Sequence, residues 1–135
     1  MPEGGPAVPG RRVLVVEDEG LVAMHLEDML TDLGHQVVAS VNRVEPAIRM
    51  IAEAGIDLAI LDVNLSGERT DRLAEILRDR GIPFVFATGY GSAGLGPEWR
   101  DVPVVQKPFR ARDLEAVLRE ELSRNRSANA DPDAG

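Results

Sequence analysis

Residues 13–20 read Val-Leu-Val-Val-Glu-Asp-Glu-Gly, an apolar run that gives way abruptly to acids. A short apolar run rich in β-branched residues predicts a strand that is buried on both faces. The acids then mark the end of that strand. Beyond them, apolar residues recur at helical spacing, at Leu21, Val22, Leu26, Met29, Leu30 and Leu33. This stretch therefore predicts one strand followed by one helix.

The same pairing of a buried strand with a helix repeats along the chain. Four more apolar runs lie at residues 37–41, 58–61, 84–87 and 102–105. Helical spacing of apolar residues appears at 44–51, 73–77 and 114–122. Strict alternation predicts a doubly wound α/β fold with a five-stranded parallel sheet, because right-handed crossovers place helices on both faces. The expected strand order is the flavodoxin-like 2-1-3-4-5.

The connection between the fourth and fifth strands departs from this alternation. Gly91, Gly94, Gly96 and Pro97 crowd the place where a fourth helix belongs, and both residue types disfavour helix formation. We expect a loop with at most a turn or two, and thus a shortened or irregular fourth helix. Trp99, near the end of this connection, is expected to pack against the core.

The length and composition of the chain suit one ordinary domain. Its 135 residues, of which 44% are hydrophobic, are enough to build a buried core. We place this domain at residues 11–124. The segments 1–10 and 125–135 are polar and marked by Pro and Gly, so we expect both to be disordered.

Charge and residue usage exclude several classes of function. The formal net charge of -8 opposes direct binding to nucleic acid or to an anionic membrane surface. The chain has no cysteine and only two histidines, so any metal must be held by oxygen ligands. The first residues lack the apolar core of a signal peptide, and no later run reaches membrane-spanning length. We expect a cytoplasmic protein.

Five polar residues stand at the carboxyl ends of predicted strands. They are Glu17 and Asp18 after the first strand, Asp62 after the third, Thr88 after the fourth and Lys107 after the fifth. Ligands bind open parallel sheets at this edge, where the strand order reverses, so we expect the five side chains to converge. Each alone has an ordinary explanation, such as helix capping, a turn or a solvated charge. Together, those explanations would require several coincidences.

The types of these residues indicate phosphoryl chemistry with a metal ion. Carboxylates held together repel one another unless a cation neutralises them, and oxygen ligands favour Mg²⁺, for which Mn²⁺ can substitute. A carboxylate can also attack phosphorus and form an acyl phosphate if the charge on the phosphoryl oxygens is stabilised. The ammonium group of Lys107 and the hydroxyl of Thr88 would help to supply that stabilisation.

Four motifs, in order and on the right elements, resemble the receiver domains of bacterial two-component response regulators. They are Val-Leu-Val-Val-Glu-Asp-Glu at 13–19, Leu-Asp-Val-Asn-Leu at 61–65, Phe-Ala-Thr-Gly-Tyr at 86–90 and Gln-Lys-Pro-Phe at 106–109. The likeness runs from about Arg12 to Ser123. It implies a stand-alone CheY-like receiver that accepts a phosphoryl group from a histidine kinase.

The resemblance implies a role for each acidic site residue. Asp62 would be the phosphorylated residue. Asp18 and Asp62 would bind Mg²⁺ directly, while Asn64 would add its backbone carbonyl. Glu17 would act through water. One departure from the common receiver pattern lies nearby, because Ser66 stands where a proline is frequent.

The resemblance also implies which residues bind the phosphoryl group and respond to it. Thr88 and Lys107 would bind it, and the peptide bond between Lys107 and Pro108 is expected to be cis. Val104 stands where a switch tyrosine or phenylalanine usually sits. We therefore predict that Tyr90, which has the size and an adjacent glycine hinge, takes part in the switch instead.

Residues 86–90 further resemble the FATGUY group of single-domain receivers, which is associated with general stress signalling in alphaproteobacteria. The kinases of that group are of the HWE or HisKA2 type. The expected partners are thus a histidine kinase and an unknown downstream protein. We expect a monomer or a weak dimer.

Three other functions compete with a regulatory receiver. An aspartate-nucleophile phosphatase of the haloacid dehalogenase type would need a second acid where Asn64 stands, and no cap domain is evident. A pseudo-receiver that needs no phosphorylation would not require all five site residues. A phosphate sink or relay intermediate would use the same residues, so the sequence leaves that alternative open.

Overall fold

The computed structural model describes residues 10–65, 67–89 and 96–129. The strands are β1 (Arg12–Val16), β2 (Gln36–Val41), β3 (Leu58–Asp62), β4 (Asn64–Leu65), β5 (Glu68–Arg69), β6 (Phe84–Thr88) and β7 (Val104–Gln106). The α-helices are α1 (Gly20–Asp32), α2 (Val44–Glu53), α3 (Asp71–Asp79) and α4 (Ala111–Asn129). A 3₁₀ turn covers Pro97–Trp99.

Five of the strands form one parallel sheet in the order β2-β1-β3-β6-β7. Counting only these strands, the order is 2-1-3-4-5, which confirms the prediction of a flavodoxin-like doubly wound sheet. In the register, Val16 of β1 lies beside Leu61 of β3, and Asp62 lies beside Ala87 of β6. The carboxyl ends of β1, β3 and β6 therefore meet at one edge.

Apolar residues fill both faces of the sheet because helices cover both. Leu14 and Val16 face the layer formed by α2 and α3, whereas Val13 and Val15 face α1 and α4. Every residue of β3 and β6 is buried, since these strands have neighbours on each side and helices above and below. This double cover explains their continuous apolar runs.

The last strand starts later than its apolar run suggested. We predicted a strand at 102–105, but β7 begins at Val104. The backbone N–H of Val102 donates to the carbonyl of Trp99, and Pro103 has no N–H to offer a neighbouring strand. Val102 is nonetheless buried, so its side chain adds to the core without belonging to the sheet.

The connection between β6 and β7 contains the 3₁₀ turn and, within residues 96–103, no α-helix. This agrees with a shortened fourth helix, while residues 90–95 lie outside the described part. Trp99 in this turn is buried and packs edge-on against Phe84 and Phe86 of β6. Its indole N–H donates to a carboxylate oxygen of Asp71 at 3.1 Å.

The final helix, α4, continues to Asn129, beyond residue 124 where we placed the end of the domain. The domain limits remain a prediction, because residues 1–9 and 130–135 lie outside the described part. Helix α4 is 19 residues long. Neither it nor another helix among the described residues combines the length and apolarity that crossing a membrane requires.

Candidate functional site

Three carboxylates converge at the carboxyl edge of the sheet. Glu17 and Asp18 directly follow β1, and Asp62 ends the adjacent strand β3. One oxygen from each carboxylate lies within 4.8 Å of the others. Glu17 and Asp62 are buried, while Asp18 is half-buried. Three acids are thus held together at an edge where two of them are largely shielded from solvent.

Backbone hydrogen bonds hold the strand ends that carry these acids. The N–H of Glu17 donates to the carbonyl of Val41 at 3.0 Å, which extends the pairing of β1 with β2. The N–H of Val63 donates to the carbonyl of Ala87 at 3.2 Å, which does the same for β3 and β6. The side chains are therefore presented by rigid strand ends.

Lys107 lies among the carboxylates. Its Nζ is 2.8 Å from Oε1 of Glu17 and 3.2 Å from Oδ2 of Asp62. The exposed Glu19 is further away, at 3.6 Å. The backbone N–H of Lys107 donates to the carbonyl of Thr88 at 2.8 Å, and the Lys107-Pro108 peptide bond is cis. The ammonium group thus partly neutralises the acids.

Burial dominates the electrostatics of Glu17. It raises the pKa of this carboxyl from 4.5 to about 7, although Lys107 and the N–H of Glu19 oppose the rise. Burial alone would lower the pKa of Lys107, but the neighbouring Glu17 and Asp62 carboxylates outweigh it and raise that pKa. Near neutral pH the site therefore carries one firmly charged cation and one acid that titrates.

The arrangement suits a hard divalent cation. Oxygen is the ligand atom that Mg²⁺ prefers, and the cluster offers three carboxylates. Oε1 of Glu17 is buried and, among the described residues, accepts no well-aligned hydrogen bond, since its contact with Lys107 is close but poorly directed. That oxygen is available to a water of a bound metal. The residues present therefore fit Mg²⁺.

The remaining site residues of the sequence analysis are placed less fully. Thr88 is buried at the end of β6, beside β3 in the sheet. Asn64 begins β4, which pairs with β5. Ser66 and Tyr90 lie outside the described residues, so the expected switch role of Tyr90 remains a prediction. Val104 is half-buried and lies opposite Phe86 of β6.

A short hairpin after Asp62, formed by β4 and β5, escaped the sequence analysis. It leads to Thr70, which is buried and whose Oγ1 donates to the carbonyl oxygen of Asp62 at 2.8 Å. The carboxylate of Glu68 in β5 accepts a hydrogen bond from the N–H of Val44 at the start of α2. The only signal for Thr70 is a Thr-Asp pair before a helix, which ordinarily indicates an N-cap.

This architecture has known relatives. Residues 13–119 match the family model of the response regulator receiver domain. The chain belongs to this family. The match covers more than half of the chain, and it confirms the resemblance that the four motifs carried.

Individual relatives agree with the family. SdrG from Sphingomonas melonis Fr1 is 44% identical, has a TM-score of 0.77, and is matched over 84% of this chain and 97% of that chain. The anti-anti-sigma factor PhyR from Bartonella quintana is 28% identical with a TM-score of 0.79, matched over 91% of this chain and 51% of that chain.

Curated sequences give the same family. The transcriptional regulatory protein PdtaR of Mycobacterium tuberculosis is 33% identical over 128 residues, which are 92% of this chain and 62% of PdtaR. The phyllosphere-induced regulator PhyR of Methylorubrum extorquens is 30% identical over 121 residues, which are 86% of this chain and 45% of that protein. The receiver domain thus spans about half to two thirds of these relatives.

Proposed function

We propose that this receiver domain accepts a phosphoryl group on Asp62 from a histidine kinase, in a Mg²⁺-dependent reaction, and passes the signal to a partner protein. The observation that carries this proposal is the grouping of Asp62 with Glu17, Asp18 and Lys107 at the carboxyl edge of the sheet. Such a grouping combines a carboxylate nucleophile with the charges that phosphoryl transfer needs.

Each residue has a distinct part in the transfer. An oxygen of Asp62 forms the new bond to phosphorus as the phosphorus–nitrogen bond of the kinase phosphohistidine breaks. Lys107, already 3.2 Å from Asp62, balances charge on the incoming phosphoryl oxygens. The Thr88 hydroxyl would donate a hydrogen bond to one of those oxygens. The phosphoryl group remains on Asp62, so the domain acts as a phosphoacceptor instead of a multi-turnover enzyme.

The metal ligands would come from the acidic edge. Asp18 and Asp62 would hold Mg²⁺ directly, Asn64 would add its backbone carbonyl, and Glu17 would hold a water of the ion. When bound, Mg²⁺ (or Mn²⁺ in its place) supplies positive charge beside the transferred phosphoryl group. Glu17 would contribute its buried Oε1, which lies 2.8 Å from Nζ of Lys107 and, among the described residues, accepts no well-aligned hydrogen bond.

The partners follow from the relatives and from residues 86–90. The Phe-Ala-Thr-Gly-Tyr motif supports a place in the FATGUY subgroup, a kinase of the HWE or HisKA2 type and a role in general stress signalling in the cytoplasm. A relative described as an anti-anti-sigma factor supports a protein as the downstream target. The net charge of -8 argues against nucleic acid as that target.

The first experiment labels the protein with acetyl phosphate in the presence of Mg²⁺ and locates the label by mass spectrometry. We expect one phosphoryl group on Asp62, none when Mg²⁺ is chelated, and none on Asp62→Asn. Asp28→Asn, which changes an exposed aspartate of α1, is the matched control and should be labelled normally. Label that persists on Asp62→Asn would overturn the assignment.

A further inference from the structure

Thr70 stands at the N-cap position of α3 but does not cap that helix. Its side chain makes no hydrogen bond to the N–H groups of the first turn. Threonine at this position ordinarily uses its hydroxyl for that purpose. Here Oγ1 lies 2.8 Å from the carbonyl oxygen of Asp62 and 3.2 Å from that of Val63. The hydroxyl is thus withdrawn from its own helix and shared between two carbonyls beside the phosphoacceptor.

These two carbonyls belong to the peptide units that link Asp62 to Asn64. The chain leaves the sheet here, because β3 ends at Asp62 and the hairpin begins at Asn64. Strand pairing holds the first of these peptide units through its N–H, which Val63 donates to the carbonyl of Ala87. The Thr70 hydroxyl binds the carbonyls of both units, and it does so in a place where Thr70 is only 1% exposed to solvent.

Thr70 is itself held firmly. Its carbonyl accepts the N–H of Ala74 at 3.0 Å, which anchors it to the first turn of α3. The next residue, Asp71, accepts hydrogen bonds from the indole of Trp99 at 3.1 Å and from the guanidinium of Arg69 at 2.8 Å. The residue that carries the hydroxyl is therefore held by hydrogen bonds at the start of α3.

We propose that Thr70 is a positioning residue for the phosphoacceptor site. Its hydroxyl sets the backbone from Asp62 to Asn64, and thereby the placement of the Asp62 carboxylate and the Asn64 main-chain carbonyl relative to Asp18. This inference rests on the proposed function for its role in phosphorylation. Its effect on metal binding can be measured separately.

A purely structural role predicts a different outcome from a positioning role. If Thr70 merely satisfied two buried carbonyls, its removal would lower the free energy of unfolding and leave the affinity of the folded protein for Mg²⁺ unchanged. If Thr70 positions the site, the affinity itself must fall. Residues that orient metal ligands from behind typically change metal affinity 10–100-fold when they are replaced.

The experiment compares Thr70→Val, which keeps the volume and loses the hydroxyl, with Thr70→Ser, which keeps the hydroxyl. Mg²⁺ is titrated into each folded variant by calorimetry, and urea unfolding is measured in parallel. We expect Thr70→Val to raise the Kd for Mg²⁺ roughly tenfold or more, and Thr70→Ser to stay within about threefold of wild type. Thr31→Val, on the exposed surface of α1, is the matched control and should change neither quantity.

Either of two results would overturn the proposal. One is a Thr70→Val protein that is less stable but binds Mg²⁺ as wild type does. The other is an equal loss of affinity in Thr70→Ser, which would show that keeping the hydroxyl does not preserve Mg²⁺ binding. If Thr70→Val does not fold, the Mg²⁺ titration is made instead with Thr70→Ala in trimethylamine N-oxide, an osmolyte that favours the folded state. The Kd for Mg²⁺ should again rise roughly tenfold or more.

The rate of labelling by acetyl phosphate at saturating Mg²⁺ separates this inference from the proposed function. Wild-type protein that binds Mg²⁺ but takes no label would refute the phosphoacceptor function, while the metal titrations would still decide the role of Thr70. Normal labelling of wild type with unchanged Mg²⁺ affinity in Thr70→Val would refute Thr70 alone. Slow labelling and weak Mg²⁺ binding in Thr70→Val, both restored in Thr70→Ser, would support both.

Discussion

Replacing Glu17 with glutamine should make the metal-free protein more stable at high pH and should remove much of its dependence on pH. The folded protein raises the pKa of Glu17 from 4.5 to about 7, chiefly through burial. A group with a raised pKa binds its proton more tightly in the folded state than in the unfolded state. Its stabilising contribution is therefore complete below about pH 4.5 and is lost as the pH rises through 7.

The size of this effect follows from the two pKa values. One pKa unit corresponds to about 1.4 kcal/mol, so the rise from 4.5 to about 7 amounts to roughly 3 kcal/mol once Glu17 is fully charged. About 2 kcal/mol of that is lost between about pH 5.5 and 8.5 by the linkage relation. Glu17 is only 3% exposed, so solvent does little to reduce the effect. Glutamine, which stays neutral, avoids this loss.

The assay is urea unfolding in the presence of a chelator at several pH values between about 5.5 and 8.5, followed by the fluorescence of the buried Trp99. Burial and Arg11 lower the pKa of His35, so its contribution rises with pH through 6.5, opposite in sign to that of Glu17. Burial raises the pKa of Glu121, which acts in the same direction as Glu17. Both groups are present in wild type and in Glu17→Gln, so the difference between the two proteins isolates Glu17.

Glu19→Gln serves as the control because Glu19 is exposed and lies further from Lys107. Its free energy of unfolding should follow that of wild type at every pH. Saturating Mg²⁺ should restore the stability of wild type at high pH, because a ligand that binds only the folded state adds to its stability. Parallel pH curves for wild type and Glu17→Gln would refute the reasoning.

Two further predictions concern the metal and the 3₁₀ turn. Asp18→Asn should raise the Kd for Mg²⁺ at least about tenfold because it removes a direct ligand, whereas Lys107→Ala should change the Kd little. Calorimetric titration measures both, and equal losses of affinity would contradict this division of roles. Trp99→Phe should lower the free energy of unfolding by about 1–2 kcal/mol, because it loses the hydrogen bond to Asp71 and weakens the stacking of Arg78, whose guanidinium lies 4.8 Å from the ring centre. Urea unfolding followed by circular dichroism measures this change, and an unchanged midpoint would count against it.

The sheet could be predicted from the sequence because its strands are buried on both faces. The runs 58–61 and 84–87 contain only apolar residues, as expected for strands covered by helices on both faces. The alternation of strands with helices then led to the predicted strand order. The grouping of Glu17, Asp62 and Lys107 was predictable for a related reason. Parallel strands all end at the same edge, so residues that follow neighbouring strands must meet there.

What the sequence did not reveal depends on single contacts between distant residues. The hairpin of β4 and β5 has only two residues in each strand, too few for any periodic pattern. The hydroxyl of Thr70 had two possible uses, and only the position of Asp62 decides between them. Trp99 was expected to pack, but its hydrogen bond to Asp71 spans 28 positions along the chain and leaves no mark in local sequence.

The position of Lys107 has a consequence for the domain before any metal arrives. A free sodium or potassium ion that screened these acids would exchange with the medium and would be lost on dilution. An ammonium group on the end of β7 is instead a counter-ion attached to the chain, at 2.8 Å from Glu17 and 3.2 Å from Asp62. The domain therefore carries a covalently attached counter-ion at this edge. Its carboxylates should stay together in media of low salt, before a divalent metal ion binds.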